Sequence, residues 1–285
     1  MAQLLYGKDR ANEIKAETAA AIKQLEQKYQ LRPTLCAIQV GENLESAHYL
    51  ESQRKVAEKL SVDHIVKQLP GDVSQKQLIE LIKNLNNDPE VNGIILQMPL
   101  PEHLDVTCVR GYIRSNKDVE GVHPKNLGNV LLGKWDIAPC TACAVMELLA
   151  AAKVDLYGKE TVVIGHSQIV GRPLSVMLMQ HFATVTVCHI ATAEAGQLNG
   201  HINKADILIV AVGKAEMVRG ESIKEGAVVI DVGINSVDGK LVGDVEFAAA
   251  CEKASIITPV PGGVGPLTVA VLMRNLVHAT ELQLK

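Results

Sequence analysis

The sequence predicts an α/β protein with two domains, each built on a mostly parallel sheet. Strand-like and helix-like stretches alternate along nearly the whole chain, as they do in β-α-β units. The strand-like runs, such as TLCAIQV (34–40) and TVVIG (161–165), are rich in Val and Ile and do not alternate with polar residues. That pattern is typical of strands buried on both faces. The length of 285 residues corresponds to about two domains.

The first half of the chain predicts one β-α-β series. Apolar residues at helical spacing predict helices, and short apolar runs predict strands. The expected elements are a helix from Asp9 to Tyr29, strand TLCAIQV (34–40), a helix from Ser46 to Leu60, strand VDHIVKQL (62–69), a helix from Ser74 to about Asn86 and strand NGIILQ (92–97). Residues 117–139 are richer in Gly, Pro and Asn, so we expect a long ordered loop there.

The second half predicts another series of parallel strands. The expected elements are a helix from Thr141 to Ala152, strands TVVIG (161–165), TVTVCH (184–189), DILIVAVG (206–213) and AVVIDVG (227–233), and a final helix from Leu267 to about Leu284. These strands are apolar along most of their length, so we expect helices to cover both faces of their sheet.

Composition excludes several classes of protein. The chain is 47% hydrophobic and 21% charged, which is ordinary for a globular protein with a large core. Its formal net charge of -4 does not favour nucleic acid or an anionic membrane as a partner. The start, MAQLLYGKDR, is too short and polar for a signal peptide, and no apolar run approaches the ~18 residues of a membrane span. We therefore expect a cytoplasmic protein.

The cysteines predict neither a disulfide framework nor a metal site. The six cysteines are scattered and mostly lie in apolar, strand-like runs, which is typical of reduced core thiols. Cys140 and Cys143 form one C-x-x-C, but a zinc site needs a second pair or histidines at matched spacing, and the sequence has neither.

The stretch TVVIGHSQIVGRP predicts a strand, a glycine turn and the start of a helix. Gly165 permits the tight turn, and Gly171 lets the helix pack close to the strand. Backbone N–H groups between them could hold a pyrophosphate. The spacing is G-x-S-x-x-x-G, with Ser167 in place of the usual second glycine, and a purely structural turn explains this motif about as well. Two further apolar strands end at His189 and at AVGK (211–214), the edge where a Rossmann-type sheet holds a dinucleotide.

The sequence does not settle the choice between NAD and NADP. A 2′-phosphate favours Arg or Lys just after the second strand, and a free ribose favours Asp or Glu. Here Ile190 and Ala191 follow that strand, with Glu194 further on. We therefore predict discrimination of less than ~10-fold, the ratio that about 1.4 kcal/mol gives.

A third pattern lies in the stretch SAHYLESQRK (46–55). Tyr49 and Gln53 are four residues apart, so they share one face of a helix. An aromatic ring and a polar group on one face could stack on a flat ligand and contact its edge. Gln cannot exchange a proton at neutral pH, which makes its place there notable.

Several stretches together resemble the bacterial bifunctional methylenetetrahydrofolate dehydrogenase/methenyltetrahydrofolate cyclohydrolase family. They cover almost the whole chain in order, and the last is highly specific. The stretches are QMPLP (97–101), KDVEGVHPKNLG (117–128), PCT (139–141), GHSQIVGRP (165–173), GAVVIDVGIN (226–235), VGDVEF (242–247) and TPVPGGVGPLT (258–268).

The resemblance implies a homodimer that acts on tetrahydrofolate derivatives. Its fold would be a catalytic domain at residues 1–143 and 268–285, a Rossmann-type domain at 144–267, a folate cleft between them, and a final helix that returns to the first domain. It implies oxidation of 5,10-methylenetetrahydrofolate with NADP by default, NAD being possible. Hydrolysis of the methenyl product to 10-formyltetrahydrofolate follows.

The resemblance, taken with the motifs, also predicts the site residues. The expected catalytic residues are Tyr49, Gln53, Gln97 and Glu120. The expected folate-binding residues are Tyr49, Gln97, Glu120, Pro261, Gly262 and Gly263. The expected cofactor-binding residues are Gly165, His166, Ser167, Ile169, Val170, Gly171, His189, Ile190, Ala191, Thr192, Ala211, Val212, Gly213, Gly233, Ile234 and Thr268.

Two departures from the family pattern fall in this predicted pocket. Family members carry Y-x-x-x-K-x-K, whose first Lys handles the proton in the hydrolase step, and here Gln53 replaces it. Lys55 matches the second Lys but lies six residues beyond Tyr49, about 240° around the helix, and cannot simply replace the first. Glu120 stands where the family usually has Asp. We therefore expect weak or lost cyclohydrolase activity.

Other functions remain open at this stage. The enzyme could keep both activities, with Gln53 orienting water and another group moving in. An inactive paralogue could bind folate or nucleotide for regulation, although an inactive protein would not need to keep both glycine motifs. A dehydrogenase for a related pterin or another small carbonyl compound has only the change to Glu120 in its favour.

Overall fold

A computed structural model of the chain describes residues 1–42 and 44–285. It divides into two compact units. The first unit comprises Asn12–Cys140 and Val269–Lys285, and the second comprises Met1–Ala11 and Thr141–Thr268. Among the described residues, no helix combines the length and apolar character needed to cross a membrane.

The strands, numbered in chain order, are β1 (Gln3–Leu4), β2 (Thr34–Val40), β3 (Asp63–Leu69), β4 (Gly93–Leu96), β5 (Glu160–Ile164), β6 (Thr184–Cys188), β7 (Ile207–Val210), β8 (Val228–Asp231), β9 (Asn235–Val237), β10 (Lys240–Val242) and β11 (Ile256–Ile257). The α-helices are α1 (Lys8–Tyr29), α2 (Leu44–Lys59), α3 (Gln75–Asn87), α4 (Val106–Arg110), α5 (Pro124–Leu131), α6 (Cys140–Ala151), α7 (Gly171–Gln180), α8 (Ile190–Glu194), α9 (Leu198–Ile202), α10 (Phe247–Lys253) and α11 (Gly265–Gln283). A short 3₁₀ helix spans Gly220–Ser222.

The first unit is built on a three-stranded parallel sheet in the order β3-β2-β4. The central strand β2 is almost entirely buried, as its apolar run predicts. The start of α3 shows how the sequence sets a boundary. Ser74 accepts a bond from the backbone N–H of Gln77, and the Gln77 side chain accepts the N–H of Ser74, which together form a capping box.

The last helix, α11, forms hydrogen bonds with residues of the first unit. The side-chain amide of Asn275 donates to the carbonyl oxygens of Val119 (2.9 Å) and Ala138 (3.0 Å). Farther along the helix, the Gln283 amide donates to Asn92 and Asn116. The predicted return of the final helix to the first domain is confirmed by these bonds.

The second unit contains a six-stranded sheet in the order β1-β11-β8-β7-β5-β6, and all its strand pairs are parallel. The chain goes from β5 outward to β6 and then crosses to β7 on the other side. This reversal makes the gap between β5 and β7 the switch point where such sheets bind ligands. The predicted α/β class with a Rossmann-type sheet is confirmed.

The first eleven residues differ from the predicted domain division. We placed them in the first domain, but they cluster with the second unit. The reason is that β1 pairs in parallel with β11, so that Gln3 lies opposite Ile256 and Leu4 opposite Ile257. This pairing joins segments that are far apart in sequence, and β1 is too short to produce a periodic signal.

The prediction of a continuous loop over residues 117–139 was wrong, because α5 lies within it. His123 caps this helix by accepting the backbone N–H of Lys125 through Nδ1 at 3.0 Å. Pro124 stands in the first turn, where its missing N–H has no effect on the helix. The Gly and Asn content favoured a loop, but the cap and proline outweigh it.

Candidate functional site

Helix α2 presents Tyr49 and Gln53 on one face, as their spacing predicts. The Gln53 side chain is fully buried, and Tyr49 is partly exposed. The charged side chains of Glu51, Arg54 and Lys55 on the same helix lie elsewhere on its surface. Arg54 binds Glu51 at 2.8 Å, and the Lys55 ammonium lies 3.4 Å from the same carboxylate, with about two-thirds of the Lys55 side chain exposed (64%). Lys55 therefore does not occupy the buried position of Gln53.

A hydrogen bond between two amides connects α2 to the end of β4. Gln97 Nε2 donates to Gln53 Oε1 at 3.2 Å, and the Gln97 backbone N–H donates to the carbonyl oxygen of Ile38. Both glutamine side chains are buried. Within residues 1–42 and 44–285, the buried Nε2 of Gln53 has no hydrogen-bond partner. An acceptor atom on a ligand could satisfy that donor, since buried polar groups are normally paired.

Glu120 is presented by a loop that its neighbours hold in place. The Lys117 ammonium donates to the carbonyl oxygens of Leu85 (3.0 Å) and Asp88 (2.6 Å). The Asp118 carboxylate accepts the backbone N–H of His123 at 2.7 Å. The next residue, Gly121, has a φ of 72°, and a Cβ there would clash with the backbone of Ala138. These contacts commit the neighbouring Lys117 and Asp118 side chains to bonds that hold the loop, and Glu120 follows them directly.

Burial sets the protonation of two predicted site residues. It raises the pKa of Glu120 to about 7, while the Arg110 guanidinium and the Leu96 backbone N–H act in the opposite direction. Burial also holds the pKa of Tyr49 well above its usual value, with smaller contributions from Cys140 and Glu120. The phenol is therefore neutral at physiological pH, and Glu120 can exchange a proton there.

The first unit thus brings together the four predicted catalytic residues. Gln53 forms a hydrogen bond with Gln97, and its side chain also interacts with the Tyr49 hydroxyl. Tyr49 lies within electrostatic range of Glu120. The arrangement combines an aromatic ring, two amides and one titratable carboxyl, which suits a flat polar ligand. The roles of these residues remain predictions.

Arg110 was missed in the sequence. It is the last residue of α4, a five-residue helix too short for a periodic signal. Its proximity to Glu120 depends on tertiary packing. The one local signal is a charged residue in the otherwise apolar stretch VTCVRGYI.

The predicted folate-binding loop Pro261–Gly263 lies in the second unit, just before α11. Gly262 has a φ of 112°, which only glycine adopts readily, and a Cβ there would be 3.4 Å from the Tyr6 ring. Its carbonyl oxygen accepts the N–H of Gly7 at 3.0 Å. The loop backbone is therefore fixed and bare of side chains at Gly262 and Gly263, as a surface for a flat ring requires.

The glycine turn follows β5 and leads directly into α7. Gly165 has a φ of 117°, and a Cβ there would clash with the carbonyl oxygen of Ala211. A Cβ on Gly171 would clash with the carbonyl oxygen of Gly165. Within the turn, the Ser167 hydroxyl accepts the backbone N–H of Val170 at 3.2 Å. The turn therefore requires glycine at both ends, and its backbone fits the pyrophosphate of a dinucleotide.

Two buried aspartates organise the neighbouring strand ends. The Asp244 carboxylate accepts the backbone N–H groups of Val212 (2.7 Å), Gly213 (3.0 Å) and Lys214 (2.8 Å). Asp231 accepts those of Gly233 (3.0 Å), Asp244 (3.0 Å) and Val245 (2.9 Å). Sequence analysis did not single out either aspartate, although both lie in motifs that carried the resemblance.

These bonds place Ala211, Val212, Gly213, Gly233 and Ile234 at the carboxyl edge of the sheet, next to the glycine turn. The backbone N–H of Ala211 donates to Ile164, the last residue of β5, at 2.8 Å. The predicted cofactor residues of β5, β7 and β8 therefore lie along one sheet edge.

The end of β6 completes this edge. The rings of His166 and His189 are 5.2 Å apart. Ile190 and Ala191 are exposed, and the Thr192 hydroxyl accepts the N–H of His189. Of the other predicted residues, Val170 is buried and Ile169 is exposed, while the Thr268 hydroxyl donates within its own helix to Val264. An imidazole N–H can donate a hydrogen bond to a phosphate oxygen.

Two family sequence models match the chain. The tetrahydrofolate dehydrogenase/cyclohydrolase catalytic domain matches residues 5–120, and the NAD(P)-binding domain of the same family matches residues 139–284.

The described residues contain no group of three or more His, Cys, Asp or Glu side chains that could hold a metal ion.

Curated relatives match along the full length. The chain is 48% identical over 279 residues to "Bifunctional protein FolD 2" of Myxococcus xanthus, covering 98% of this chain and 96% of that protein. It is 45% identical over 285 residues to "Bifunctional protein FolD" of Acetivibrio thermocellus, covering 100% and 99%.

Solved structures are similar over the same range. A bifunctional FolD methylenetetrahydrofolate dehydrogenase/cyclohydrolase from Campylobacter jejuni has a TM-score of 0.94 at 42% identity, covering 99% of this chain and 100% of that one. The Trypanosoma brucei enzyme, complexed with NADP cofactor and inhibitor, has a TM-score of 0.94 at 36% identity, covering 100% and 99%.

Proposed function

The chain belongs to the tetrahydrofolate dehydrogenase/cyclohydrolase family, and we propose that it retains the dehydrogenase reaction of this family with little or no cyclohydrolase activity. The substrate is 5,10-methylenetetrahydrofolate, and the cofactor is NADP. The observation that carries the proposal is the buried amide of Gln53, which lies where the family pattern has a proton-handling lysine.

The dehydrogenase reaction needs positioning more than it needs a protein base. A bound dinucleotide would supply the acceptor for a hydride from the methylene carbon of the substrate, whose own nitrogen lone pairs stabilise the methenyl cation that remains. No proton leaves in this step, so the protein must mainly hold the two reactants in line. Tyr49, Gln97 and Glu120 can orient the pterin, and the loop of Pro261–Gly263 offers a flat backbone surface.

The cyclohydrolase reaction makes a different demand. Water adds to the methenyl carbon, loses a proton, and the ring then opens to the 10-formyl product. A positioned proton-transfer group usually contributes ~10²- to 10⁴-fold to such a rate. Gln53 cannot supply it, Lys55 is exposed and paired with Glu51, and Tyr49 is held neutral.

A fully bifunctional enzyme is the second candidate, and one observation favours it. The pKa of Glu120, raised to about 7, is close to the optimum for a general base at neutral pH. In that case Glu120 takes the proton from water while Gln53 orients the water molecule. The third candidate, an inactive binding protein, is disfavoured because the chain keeps both the Pro261–Gly263 loop and the glycine turn, which an inactive protein would not need.

We also propose that the protein is a cytoplasmic homodimer. The outer strand β3 of the first unit exposes Ile65 and Val66, which a second copy could cover. The buried thiols of Cys36 and Cys188, whose pKa values burial raises, are of the unreactive kind common in reducing compartments.

The experiment follows both products from methylenetetrahydrofolate with NADP and, in parallel, with NAD. We expect methenyl product to accumulate in step with cofactor reduction, and the two cofactors to differ by less than ~10-fold in kcat/KM. Methenyl that passes at once to formyl product indicates the bifunctional enzyme. Absence of cofactor reduction indicates the binding protein.

A further inference from the structure

Tyr6 lies beside the loop Pro261–Gly263, and its side chain is more than half exposed (54%). A Cβ built on Gly262 would be 3.4 Å from Tyr6 Cδ1 and 3.7 Å from Tyr6 Cε1. One edge of the phenol ring therefore faces this backbone at van der Waals distance. A single exposed aromatic residue is common on protein surfaces and needs no explanation. This ring is different because the loop that it borders has no side chain at Gly262 or Gly263.

The backbone on both sides of Tyr6 is fixed within the second unit. Before it, the N–H of Leu5 donates to the carbonyl oxygen of Ile257 at 2.8 Å, which continues the pairing of β1 with β11. After it, the N–H of Gly7 donates to the carbonyl oxygen of Gly262 at 3.0 Å. A Cβ on Gly7 would clash with the loop backbone, so the two segments are as close as they can be. The ring is thus held at the loop by bonds that do not involve its own side chain.

The same stretch of chain continues towards the predicted cofactor edge. Ile234 Cδ1 lies 3.9 Å from the Cβ position of Gly265, and the Ile234 side chain is exposed (60%). Ile234 follows β8, whose carboxyl end belongs to the edge where we place the dinucleotide. Residues 261–265 therefore run from the ring of Tyr6 at one end to the cofactor edge at the other.

The residues that border the Tyr6 ring are apolar. Pro259 Cγ lies 4.0 Å from the Cβ position of Gly262, and Pro261 is exposed beside it. A pterin carries N–H and carbonyl groups at its edge, which need polar partners. The aminobenzoyl ring of a folate is equally flat but has no N–H within the ring. Aromatic rings of this kind pair favourably with a phenol through offset or edge-to-face contact.

We propose that Tyr6 is a further substrate-binding residue, whose ring packs against the aminobenzoyl ring of the folate. The bare backbone of Gly262 and Gly263 lets that ring approach closely. The identity of the ligand rests on the proposed function. Because the atoms of the aminobenzoyl ring do not react, Tyr6 contributes to substrate affinity and not to hydride transfer itself.

Steady-state kinetics at saturating NADP give the first test. In Tyr6→Ala we expect KM for methylenetetrahydrofolate to rise about 5-fold, the effect of losing one aromatic pair, while kcat and the KM for NADP change little. Tyr6→Phe keeps the ring and should stay within about 2-fold of the native KM. Tyr157→Ala is the matched control, since it removes a more exposed ring of the same unit, and it should leave KM unchanged.

A merely structural role of Tyr6 gives a different pattern. If Tyr6→Ala lowers kcat and raises the KM for NADP as much as the KM for the folate, the ring only supports the loop and the inference is overturned. A KM for the folate equal to that of the native protein also overturns it. If Tyr6→Ala does not fold, Tyr6→Leu supplies a second variant that lacks the aromatic ring but keeps apolar volume beside Gly262.

NMR locates the contact directly, with folic acid as an unreactive probe. Tyrosine rings are labelled with ¹³C, and the Tyr6 signal is assigned by its loss in Tyr6→Phe. We expect this signal to shift when folic acid binds and to show nuclear Overhauser effects to the benzoyl protons. Effects to the pterin proton alone overturn the inference, as does a Tyr6 signal that stays in place in a protein with dehydrogenase activity. A protein that reduces no NADP and shows no shift of any tyrosine signal contradicts the proposed function instead.

Discussion

The amide of Gln53 lies where the family pattern places an ammonium group, and the surrounding residues accommodate it. Gln97 donates to its oxygen at 3.2 Å, and the side chain is fully buried. Tyr49, on the same face of α2, interacts electrostatically with Glu120. We therefore expect a lysine at position 53 to interact with the Glu120 carboxyl as well.

The first prediction concerns restoration of hydrolysis. Gln53→Lys should raise the rate of methenyl hydrolysis about 10-fold or more, but less than the ~10²- to 10⁴-fold of a fully positioned group. Adding Glu120→Asp should raise it further, with a coupling of at least about 0.5 kcal/mol between the two sites. Methenyl decay is measured in both single variants and the double variant.

Lys55→Gln is the control for this series, because Lys55 is exposed on the same helix. It should leave methenyl decay at the native rate. Thermal unfolding of each variant shows whether a loss of activity is caused by destabilisation of the fold by the buried lysine. Strictly additive effects of Gln53→Lys and Glu120→Asp would show that the two side chains do not share a ligand.

The second prediction follows from the pKa of Glu120, which is raised from 4.5 to about 7. The folded protein binds this proton more tightly than the unfolded chain, so stability contributed by protonation is present at acidic pH and is lost as pH rises through about 7. Relative to Glu120→Gln, the native protein should lose roughly 3 kcal/mol of unfolding free energy between pH 5 and pH 8, as an upper value.

Urea denaturation of the two proteins at pH 5 and pH 8 measures this difference. The comparison cancels the pH dependence of all other groups. Glu80→Gln, at an exposed position of α3, is the control and should show no such change. An unfolding free energy difference that is the same at both pH values contradicts the assignment of a buried, proton-binding Glu120.

At the scale of single elements, the turn between β5 and α7 leaves no room for a side chain at either of its two glycines. Both of its glycines are packed against carbonyl oxygens, those of Ala211 and Gly165. The third prediction is that Gly171→Val lowers NADP affinity by more than ~10-fold, since the turn must open by the size of the new side chain. Folate binding should remain measurable.

Calorimetric titration with NADP measures this loss. Gly200→Val is the matched control, because Gly200 lies in α9 of the same unit with open space around its Cβ position. It should bind NADP normally. Unchanged NADP affinity in a folded Gly171→Val protein would remove the glycine turn from the cofactor site.

The elements that the sequence predicted are those with strong local signals. The buried strand β2 and the helix α3 were predicted closely, because an apolar run and a capping box are local patterns. Helix α5 was missed because its Gly and Asn content favours a loop, and the His123 cap that stabilises it is a weak signal in sequence. Strand β1 was missed because two residues carry no periodicity.

In the candidate site too, the residues with local sequence signals were predicted and the others were missed. Tyr49 and Gln53 were found from helical spacing, and the glycine turn from its strand and helix context. Asp231 and Asp244 act on backbone groups that tertiary structure brings to them, 13 residues apart in one bond and 32 in another. Arg110 influences the charge of Glu120 from α4, which is ten residues earlier in the sequence. Such contacts leave no trace in local sequence.

At the scale of the whole molecule, the fourth prediction is that two copies associate. Sedimentation equilibrium should give twice the chain mass of 30.7 kDa. Changing Ile65 and Val66 of the outer strand β3 to Lys should weaken the dimer, because exposed apolar strand edges favour pairing and lysine opposes it. A monomer at micromolar concentration in the native protein would contradict the proposed dimer.

The reaction as a whole depends on both units, and the fifth prediction concerns the step at which it ends. The first unit keeps the aromatic ring, the amides and the carboxyl that we propose bind a pterin, and the second keeps the turn and strand ends that we propose bind a dinucleotide. Position 53 carries a buried glutamine and not a lysine. We therefore expect the reaction to end at methenyltetrahydrofolate.

The most direct test supplies purified methenyltetrahydrofolate alone and follows its loss with the native protein and with buffer. The same preparation must first oxidise methylenetetrahydrofolate with NADP, which shows that the protein is active. We predict that methenyl then disappears at nearly the uncatalysed rate, within a factor of about 10, because no positioned group takes the proton. Hydrolysis ~10²-fold or more above the buffer rate would show that another residue, with Glu120 the first to consider, performs the proton transfer.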